Sequence, residues 1–551
     1  MRSAQNDKLK PRMPLISAEA GAVAAAAWLA SAVLVAYIVD RIGLTIAPCV
    51  TLVIAFGTAA AVWQQLRRRA QADRPALVAL AAVVGLTFAW LMWRARPDFL
   101  PTGSGSDLAH HLALLSYIEA HGHLAHDAAS GAYLGEMIDY TPGAHLLAVL
   151  AGRWMHTDAL HVVHPVIALT VALKTGIVFL IARRLMPSTV PRIPFAIMAV
   201  ALLWLPYVFF VGSFMEESFL SQVASELFAV TLWWVAVEWN ERPAAGPMVL
   251  FALFGVATFL TWPIWIGPLI LTLAALALMH RELAWRQRLW FLTIALAPIA
   301  FVAAIYTASR MVYGLDMVHA VGFAIWPSSR TLGWTFIVAG ALGFLRSMFR
   351  REARTIALLL LTIALQGAVL IRTGLNSGAT APYLSLKMSY LAIYPMAVGA
   401  ATVLASVYQA LRPFERYAWM PLVLVALAAG LAIAFAPAVH PVVTQPVFLA
   451  GDWARTRLPI GCVDYLVADG YTAYWLHLAV FGNPRAAGRS LDDDTFEPKK
   501  ALVRWILPGG LRYAIAGDFD ALPRDIRDNV DVLSRFGPAA VVQRRGSSEC
   551  K

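Results

Sequence analysis

Long apolar runs dominate this chain and decide what it can fold into. A transmembrane helix needs about 20 apolar residues, and about thirteen such runs follow one another before residue 440. Only 14% of the 551 residues are charged, against roughly 25% in soluble domains. Hydrocarbon offers the backbone no hydrogen-bond partner, so these runs must form helices. The sequence therefore predicts an all-α polytopic membrane protein.

The predicted spans can be placed from the apolar runs alone. We expect them at approximately residues 17–39, 43–65, 75–95, 161–182, 193–213, 220–239, 246–262, 264–280, 288–308, 331–347, 354–372, 386–409 and 418–437. Residues 246–280 can hold one kinked span or two. Thr261-Trp262-Pro263 is the expected turn between two spans, because proline cannot continue the helical hydrogen-bond ladder.

Basic residues predict the orientation in an inner (plasma) membrane. With thirteen spans, the loops rich in lysine and arginine all fall on one side, and such loops are typically cytoplasmic. They contain Lys8, Lys10, Arg12, Arg67, Arg68, Arg69, Arg74, Arg183, Arg184, Arg192, Arg281, Arg286, Arg288, Arg346, Arg350, Arg351, Arg354, Arg412 and Arg416. The N-terminus is then cytoplasmic and the C-terminus extracytoplasmic. The net charge of +11 does not indicate nucleic acid, because it is divided among short loops.

Composition changes at about residue 440, where the chain becomes too polar to span. We expect a transmembrane domain at 1–439 and a small extracytoplasmic α/β domain at 440–551. Within the latter, CVDYLVA, RYAIAG and AAVVQR indicate strands, whereas YTAYWLHLAVF and DIRDNVDVLSRF indicate helices. Cys462 and Cys550 both fall on the oxidising side, where a disulfide is one option.

The first large outer loop, residues 96–160, concentrates acids and imidazoles between apolar spans. In GSGSDLAHHLALLSYIEAHG, Asp107 stands at a helix start and His110 and His111 follow within one turn. The functional interpretation makes Asp107 a general base, with a histidine that orients it or contacts phosphate. The alternative is an N-cap aspartate with surface histidines. The apolar stripe Leu108, Leu112, Leu115 and Ile118 predicts a helix along the membrane surface.

Two further polar segments lie in the predicted outer loops. In DYTPGAH, Tyr140 and His145 can line the same cavity, or the segment is only a turn before a capped re-entrant helix. In residues 213–222, Glu216 and Glu217 can hold a divalent cation or bind a sugar, or they form a solvated loop tip. The scattered histidines give no three-ligand set on one face, so the sequence predicts no metal site.

Several cations lie where the orientation rule does not place them. Lys174 falls mid-span and should face the bundle interior, paired with Glu226 or Glu238. Arg310, Arg330, Arg372 and Lys387 fall near the outer ends of later spans, which favours binding of an anionic phosphate. Tyr383 and Tyr390 flank Lys387. Snorkelling cations with interface tyrosines are the alternative.

The order of these segments resembles the GT-C superfamily of integral membrane glycosyltransferases, over most of residues 75–410. The residues that carry the likeness are Asp107-Leu-Ala-His110-His111, Tyr140-Thr-Pro142-Gly143-Ala-His145, Glu216-Glu217-Ser-Phe-Leu-Ser-Gln222 and Tyr383-Leu-Ser-Leu-Lys387. The arabinofuranosyltransferase-like branch and related bacterial families are the nearest in character. The chain departs from the usual acidic pair, because Leu108 follows Asp107.

The resemblance implies a hexosyl- or pentosyltransferase. Such enzymes pass a sugar from a polyprenyl-phosphate donor to a lipid or glycan acceptor of the cell envelope, at the outer face. It implies Asp107 as the base, while Arg372, Lys387 or a histidine stabilises the leaving phosphate. No cofactor is certain, and a divalent cation stays open. Membrane lipids are expected partners and nucleic acid is not. The alternatives are a lipid or glycan transporter or flippase, and a non-catalytic envelope-assembly protein.

Overall fold

The computed structural model describes residues 15–103, 106–126, 130–308, 322–376, 383–482, 496–506 and 510–546. In these residues, eight helices are long and apolar enough to cross a membrane: Ser17–Arg41, Pro48–Arg67, Arg74–Arg94, Ala159–Leu185, Leu220–Glu241, Trp285–Ala308, Arg354–Asn376 and Tyr383–Leu411. Five shorter apolar helices accompany them: Arg192–Leu203, Ala245–Thr261, Pro263–Met279, Trp334–Met348 and Met420–Ala434. Each of the thirteen overlaps one predicted span. The chain is a multi-pass, helical membrane protein, as predicted.

The helix Leu220–Glu241 forms the centre of the bundle. Every residue from Leu220 to Trp239 is buried, and its main packing partners are the helices Ala159–Leu185 and Ala245–Thr261. The helices Pro48–Arg67, Arg74–Arg94 and Trp285–Ala308 are mostly exposed, as expected of helices that face lipid. The extent of burial therefore distinguishes this interior helix from the three peripheral ones.

The structure corrects the end of one predicted span and decides between one span and two for residues 246–280. The span expected at 193–213 ends as a helix at Leu203, and short turns at Tyr207–Phe209 and Gly212–Met215 follow it. Pro206 explains the break, because proline lacks an amide donor and disfavours helical backbone in the preceding residue. Residues 246–280 form two helices, since Ala245–Thr261 ends before Pro263–Trp265 and Ile266–Met279.

The first large loop is mostly helical. It contains Ser106–His121, which we call the loop helix, Gly131–Leu134, Gly135–Asp139 and Gly143–Met155, which we call the second loop helix. The apolar stripe of the loop helix is at most 1% exposed. It packs on the second loop helix, on Ala159–Leu185 and on Leu476–Val480, which belongs to the region from residue 440 onwards that we call the C-terminal segment. The expectation that this stripe lies against the membrane surface was wrong, because protein covers it.

Ion pairs gather at the opposite end of the bundle, which we call the basic end. Arg184 is buried among Glu19, Glu238 and Glu241, with N–O distances of 3.6, 2.5 and 3.0 Å. Arg354 donates to Asn240 at 2.5 Å, so the ends of separate helices are joined. Strands β1 (Leu15–Ile16) and β2 (Ala70–Gln71) pair in parallel here. This common location agrees with the placement of the basic loops on one side.

The C-terminal residues form a four-stranded mixed sheet with helices. Its strands are β3 (Val463–Leu466), β4 (Tyr513–Ala516), β5 (Val530–Phe536) and β6 (Ala539–Arg544), in the order β3-β4-β6-β5. Only β3 and β4 run parallel. The helices are Gln445–Arg457, Gly470–Trp475 continued by Leu476–Val480, Pro498–Ile506 and the short Arg524–Arg527. The predicted α/β character is confirmed, whereas the domain division at residue 440 stays a prediction.

One predicted helix in this sheet was wrong. DIRDNVDVLSRF folds as a single helical turn, Arg524–Arg527, followed by β5. Strand β5 turns back into β6 through Gly537 and Pro538, and Phe536 pairs with Ala539. Gly537 has a φ of +57°, which a two-residue hairpin turn requires and glycine adopts without strain. Pairing across this turn therefore overrides the local helical pattern.

Two glycines allow the helices Trp334–Met348 and Tyr383–Leu411 to cross closely. A Cβ atom on Gly343 would lie 2.5 Å from the carbonyl oxygen and 2.6 Å from the Cα atom of Gly399. Small residues at such crossings let helix backbones approach in a membrane, where close packing is a main source of association.

We expect Gly343→Ala to destabilise the protein by about 1–3 kcal/mol, the usual cost of an overpacked contact, because the new methyl group meets the Gly399 backbone. Thermal unfolding in detergent micelles measures it. Gly85→Ala is the matched control, because nothing lies within 4 Å of a Cβ atom at that helical position. Equal midpoints for the two variants would show that the crossing is looser than described.

Candidate functional site

The loop-rich end of the bundle is closed by backbone hydrogen bonds. Thr102 and Pro441 form an antiparallel bridge, the amide of Val442 donates to the carbonyl of Pro101 at 3.2 Å, and that of Gly103 donates to His440 at 3.4 Å. The residues just before the loop helix are thereby held by the chain that enters the C-terminal sheet. The two parts of the sequence are joined by backbone hydrogen bonds at this place.

The segments 96–103 and 213–222 also touch there. The hydroxyl of Ser218 donates to the carbonyl of Thr102, and a Cβ atom on Gly103 would overlap that hydroxyl and lie 2.9 Å from the carbonyl oxygen of Glu216. Ser218 has a φ of +54°, a left-handed conformation that costs energy for a non-glycine residue. Such strain is common at binding and catalytic sites, where neighbours hold it in place.

Asp107 lies in the first turn of the loop helix, and its side chain falls outside the described part of the chain. His110, one turn later, has its Nε2 atom 2.8 Å from the hydroxyl of Tyr474 in the C-terminal segment. Residues three apart on a helix share a face. The backbone thus places Asp107 on the same helix face as a histidine that the C-terminal segment contacts.

The buried residues His111 and His145 form one cluster with the partly buried Tyr140. Nδ1 of His111 lies 3.0 Å from Nε2 of His145, and the ring of Tyr140 meets the two imidazoles at 5.0 and 5.9 Å. Thr141 anchors the segment by donating to the carbonyl of Thr261 at 2.9 Å. Burial, and the positive charge that His111 can carry, hold the pKa of His145 well below its ordinary range.

Glu216 and Glu217 lie half-buried at the same end. Burial raises the pKa of Glu216, and the Tyr207 hydroxyl and the Arg94 guanidinium oppose this rise. The pKa of Glu217 is raised by burial and by the charge of Glu216, whereas Lys387 lowers it. Carboxyl groups with raised pKa values are typical of ligand sites. In the described residues, no third histidine, cysteine or acid joins them in a metal-binding group.

Lys387 is only 1% exposed although it lies near a helix end. Its ammonium nitrogen lies 3.1 Å from the centre of the Phe219 ring and 5.2 Å from those of Tyr383 and Tyr390. The attraction between a cation and an aromatic face is about 2 kcal/mol or more when water is excluded. The protein therefore holds a positive charge beside Glu217 in an aromatic setting.

The other predicted cations lie elsewhere. Arg372 is exposed near the end of Arg354–Asn376, Arg330 is exposed on the short helix Ser329–Leu332, and Arg310 falls outside the described residues. Lys174 is buried and forms an ion pair with Glu226, which also accepts a hydrogen bond from Tyr394. Of the predicted cations described, Lys387 is the one whose charge acts on the carboxyl group of Glu217.

Sequence reasoning missed Arg94, Tyr207 and Tyr474. Arg94 donates to the carbonyl of Pro437, and with Tyr207 it acts on Glu216. All three resemble ordinary membrane-interface residues in the sequence. The contacts of Arg94 and Tyr474 join segments far apart in the chain, and Tyr207 meets Glu216 through short turns that hydropathy does not indicate. Cys462, also in the C-terminal part, is disulfide-bonded, Cys49 is free, and Cys550 lies outside the described residues.

The structure is similar to solved membrane glycosyltransferases. The Archaeoglobus fulgidus oligosaccharyltransferase in its apo form is 14% identical, with a TM-score of 0.47 over 81% of this chain and 70% of that chain. ArnT from Cupriavidus metallidurans is 12% identical, with a TM-score of 0.49 over 85% and 97%. AglB from Archaeoglobus fulgidus, in complex with an inhibitory peptide and a dolichol-phosphate, gives 14% and 0.45 over 80% and 69%.

These neighbours belong to the GT-C superfamily of membrane glycosyltransferases, which the sequence resembles. No protein-family model matches the sequence, and no curated protein matches it.

The buried His111–His145 pair predicts acid sensitivity. The folded protein keeps His145 neutral, whereas the unfolded chain takes up a proton below about pH 6.5. The unfolded state then binds more protons, so stability falls as the pH falls below that value. We expect His145→Gln, whose side chain cannot be protonated, to lose less thermal stability between pH 7.5 and 5.5 than the unmodified protein. For one such group the free energy of unfolding falls by at most about 1.4 kcal/mol per pH unit.

The measurement is the unfolding midpoint in micelles at both pH values. His156→Gln is the control, because His156 is exposed. If both variants lose as much stability on acidification as the unmodified protein, His145 is not the group responsible.

Proposed function

We propose that the chain is a membrane glycosyltransferase that moves a sugar from a polyprenyl-phosphate donor to a lipid or glycan acceptor of the cell envelope. The observation that carries the proposal is the buried Lys387 ammonium group beside Glu217, at the end of the bundle where both polar loops meet the C-terminal segment. The reaction needs a cation for phosphate and carboxyl groups for sugar hydroxyls, and this end brings both together.

The proposed reaction is a single displacement at the anomeric carbon. The acceptor oxygen forms a bond to that carbon while the bond to the phosphate oxygen breaks, and polyprenyl phosphate leaves with the electron pair. Asp107 takes the proton of the acceptor hydroxyl as general base. One carboxylate suffices for this inverting route, since no covalent intermediate has to form.

Lys387 would stabilise the negative charge that develops on the leaving phosphate. A fixed cation in a site with little water acts more strongly than one in solution. The rings of Phe219, Tyr383 and Tyr390 lie 3.1–5.2 Å from the ammonium nitrogen and hold the group in place. His110, His111, Tyr140, His145, Glu216 and Glu217 are proposed to contact the donor phosphate or the sugar, on the basis of their shared location. Arg372, which is exposed, is the weaker candidate.

The orientation and the domain division complete the proposal. The loop-rich end faces the extracytoplasmic side of the inner (plasma) membrane, with the N-terminus cytoplasmic, because clustered arginines mark the other end. Residues 440–551 form an extracytoplasmic domain that covers the site. A transporter would need ionisable residues available at mid-membrane. Lys174, the candidate for that role, is enclosed and paired with Glu226, which favours the transferase.

The direct test uses the full-length protein in lipid vesicles. Short polyprenyl-phosphate-linked hexoses and pentoses are supplied with envelope lipids as acceptor, and released polyprenyl phosphate and new glycolipid are quantified. We expect both products in equal amounts from at least one donor. In parallel, envelope glycolipids of cells with and without the gene should differ by a sugar. Polyprenyl phosphate unchanged with every donor, together with identical glycolipid profiles, would reject the proposal.

Asp107→Asn should lower the transfer rate by about 10²–10⁴-fold, the range for loss of a general base, because an amide cannot accept the proton. The single-turnover rate of glycolipid formation measures the effect. Asp452→Asn is the matched control, because Asp452 is an exposed aspartate on Gln445–Arg457, and its rate should equal that of the unmodified protein. A normal rate in Asp107→Asn would remove Asp107 from the mechanism.

Lys387→Met should lower kcat by about 10²-fold, a typical effect of losing one group that stabilises transition-state charge. Methionine keeps the apolar length in the aromatic setting and removes the charge. Arg372→Gln, at an exposed position, should change kcat by less than about threefold. A larger loss in Arg372→Gln than in Lys387→Met would assign the phosphate-binding role to Arg372 instead.

A further inference from the structure

A tyrosine of the C-terminal segment reaches the loop helix that carries Asp107. The hydroxyl of Tyr474 lies 2.8 Å from Nε2 of His110, and the two rings meet edge to face, 5.4 Å apart. Tyr474 is 1% exposed. A buried tyrosine hydroxyl requires a partner, and here the partner lies on a different segment, 364 residues away in sequence.

The local structure fixes the position of Tyr474. Asp469 caps the helix Gly470–Trp475 by accepting from the amide of Thr472 at 2.9 Å. The Thr472 hydroxyl lies 3.1 Å from the carbonyl of Val442, in the chain that pairs with Pro101. The Tyr474 ring also packs edge to face on Phe496, 4.8 Å away. Tyr474 is therefore held on the same backbone framework that precedes the loop helix.

We propose that Tyr474 is a positioning residue for the transfer reaction: its hydroxyl fixes the imidazole of His110, and with it the first turn of the loop helix, in the geometry that the reaction needs. The inference rests on the proposed function. A hydrogen bond at one ring nitrogen determines the orientation of a histidine and influences which nitrogen carries the proton. The C-terminal segment thereby contributes to the site through Tyr474, without touching the reacting atoms.

Tyr474→Phe is the test, because it keeps the buried ring and removes only the hydroxyl. We expect kcat to fall about 5- to 10-fold, corresponding to one lost hydrogen bond, with an unchanged KM for the donor. Tyr465→Phe is the matched control. Tyr465 is also buried in the C-terminal segment, and its hydroxyl lies 3.0 Å from Nδ1 of His477, a residue of the same segment and not of the loop helix. Its kcat should stay that of the unmodified protein.

A double-mutant cycle separates positioning from general stability. In a His110→Ala background, Tyr474→Phe should have a much smaller effect on kcat, because the contact between the hydroxyl and His110 is already gone. Equal losses of kcat with and without His110 would overturn the proposal, as would equal kcat values for Tyr474→Phe and Tyr465→Phe. This comparison remains informative even if both tyrosine variants lose some thermal stability.

A chemical readout distinguishes failure of this inference from failure of the proposed function. Diethyl pyrocarbonate modifies imidazole nitrogens, and mass spectrometry gives its rate at His110 relative to the exposed His156. We expect Tyr474→Phe to raise that ratio by about threefold or more, since a hydrogen-bonded nitrogen is protected, and Tyr465→Phe to leave it unchanged. If the ratio rises but the unmodified protein transfers no sugar, the proposed function fails and the positioning role falls with it. If sugar is transferred and the ratio is constant, this inference alone fails.

Discussion

Hydrocarbon supplies no hydrogen bonds, and this constraint organises the whole molecule. It makes the long apolar runs helical and confines irregular backbone, such as the turn after Thr261, to the connections between helices. It also requires a buried charge to find a partner, as Lys174 does with Glu226. Polar groups are thereby concentrated at two ends, one stabilised by arginine–carboxylate pairs and the other formed by loops.

Short backbone contacts at the loop-rich end join parts that are remote in sequence. Pro101 to Gly103 bind both the entry to the C-terminal segment and, through Ser218, the loop with the two glutamates. Few residues therefore determine where the loop helix starts. A small change in this junction would move the loop helix, the glutamate pair and the C-terminal segment together, which couples the integrity of the site to that of the junction.

Hydropathy and proline positions were sufficient for much of the fold, because a span is a local property. They located the thirteen apolar helices, and Pro263 indicated the turn between two of them. Strand β5 escaped prediction because its pairing with β6 decides its structure. The contact between Tyr474 and His110 could not be predicted either, since it depends on how the C-terminal segment packs on the loop helix. Sequence patterns place residues at an end of the bundle, but they do not pair them.

The two buried lysines show why burial alone does not identify a functional cation. Lys174 lies within a span, against the carboxylate of Glu226 and the ring of Tyr394, so its charge is neutralised where it stands. Lys387 lies near a helix end, its ammonium group surrounded by three aromatic rings, and its charge acts on Glu217 in a loop. The two positions therefore differ in their setting: the charge of Lys174 meets a carboxylate inside the bundle, whereas the charge of Lys387 acts on a carboxyl group in a loop, as the proposed phosphate-binding role requires.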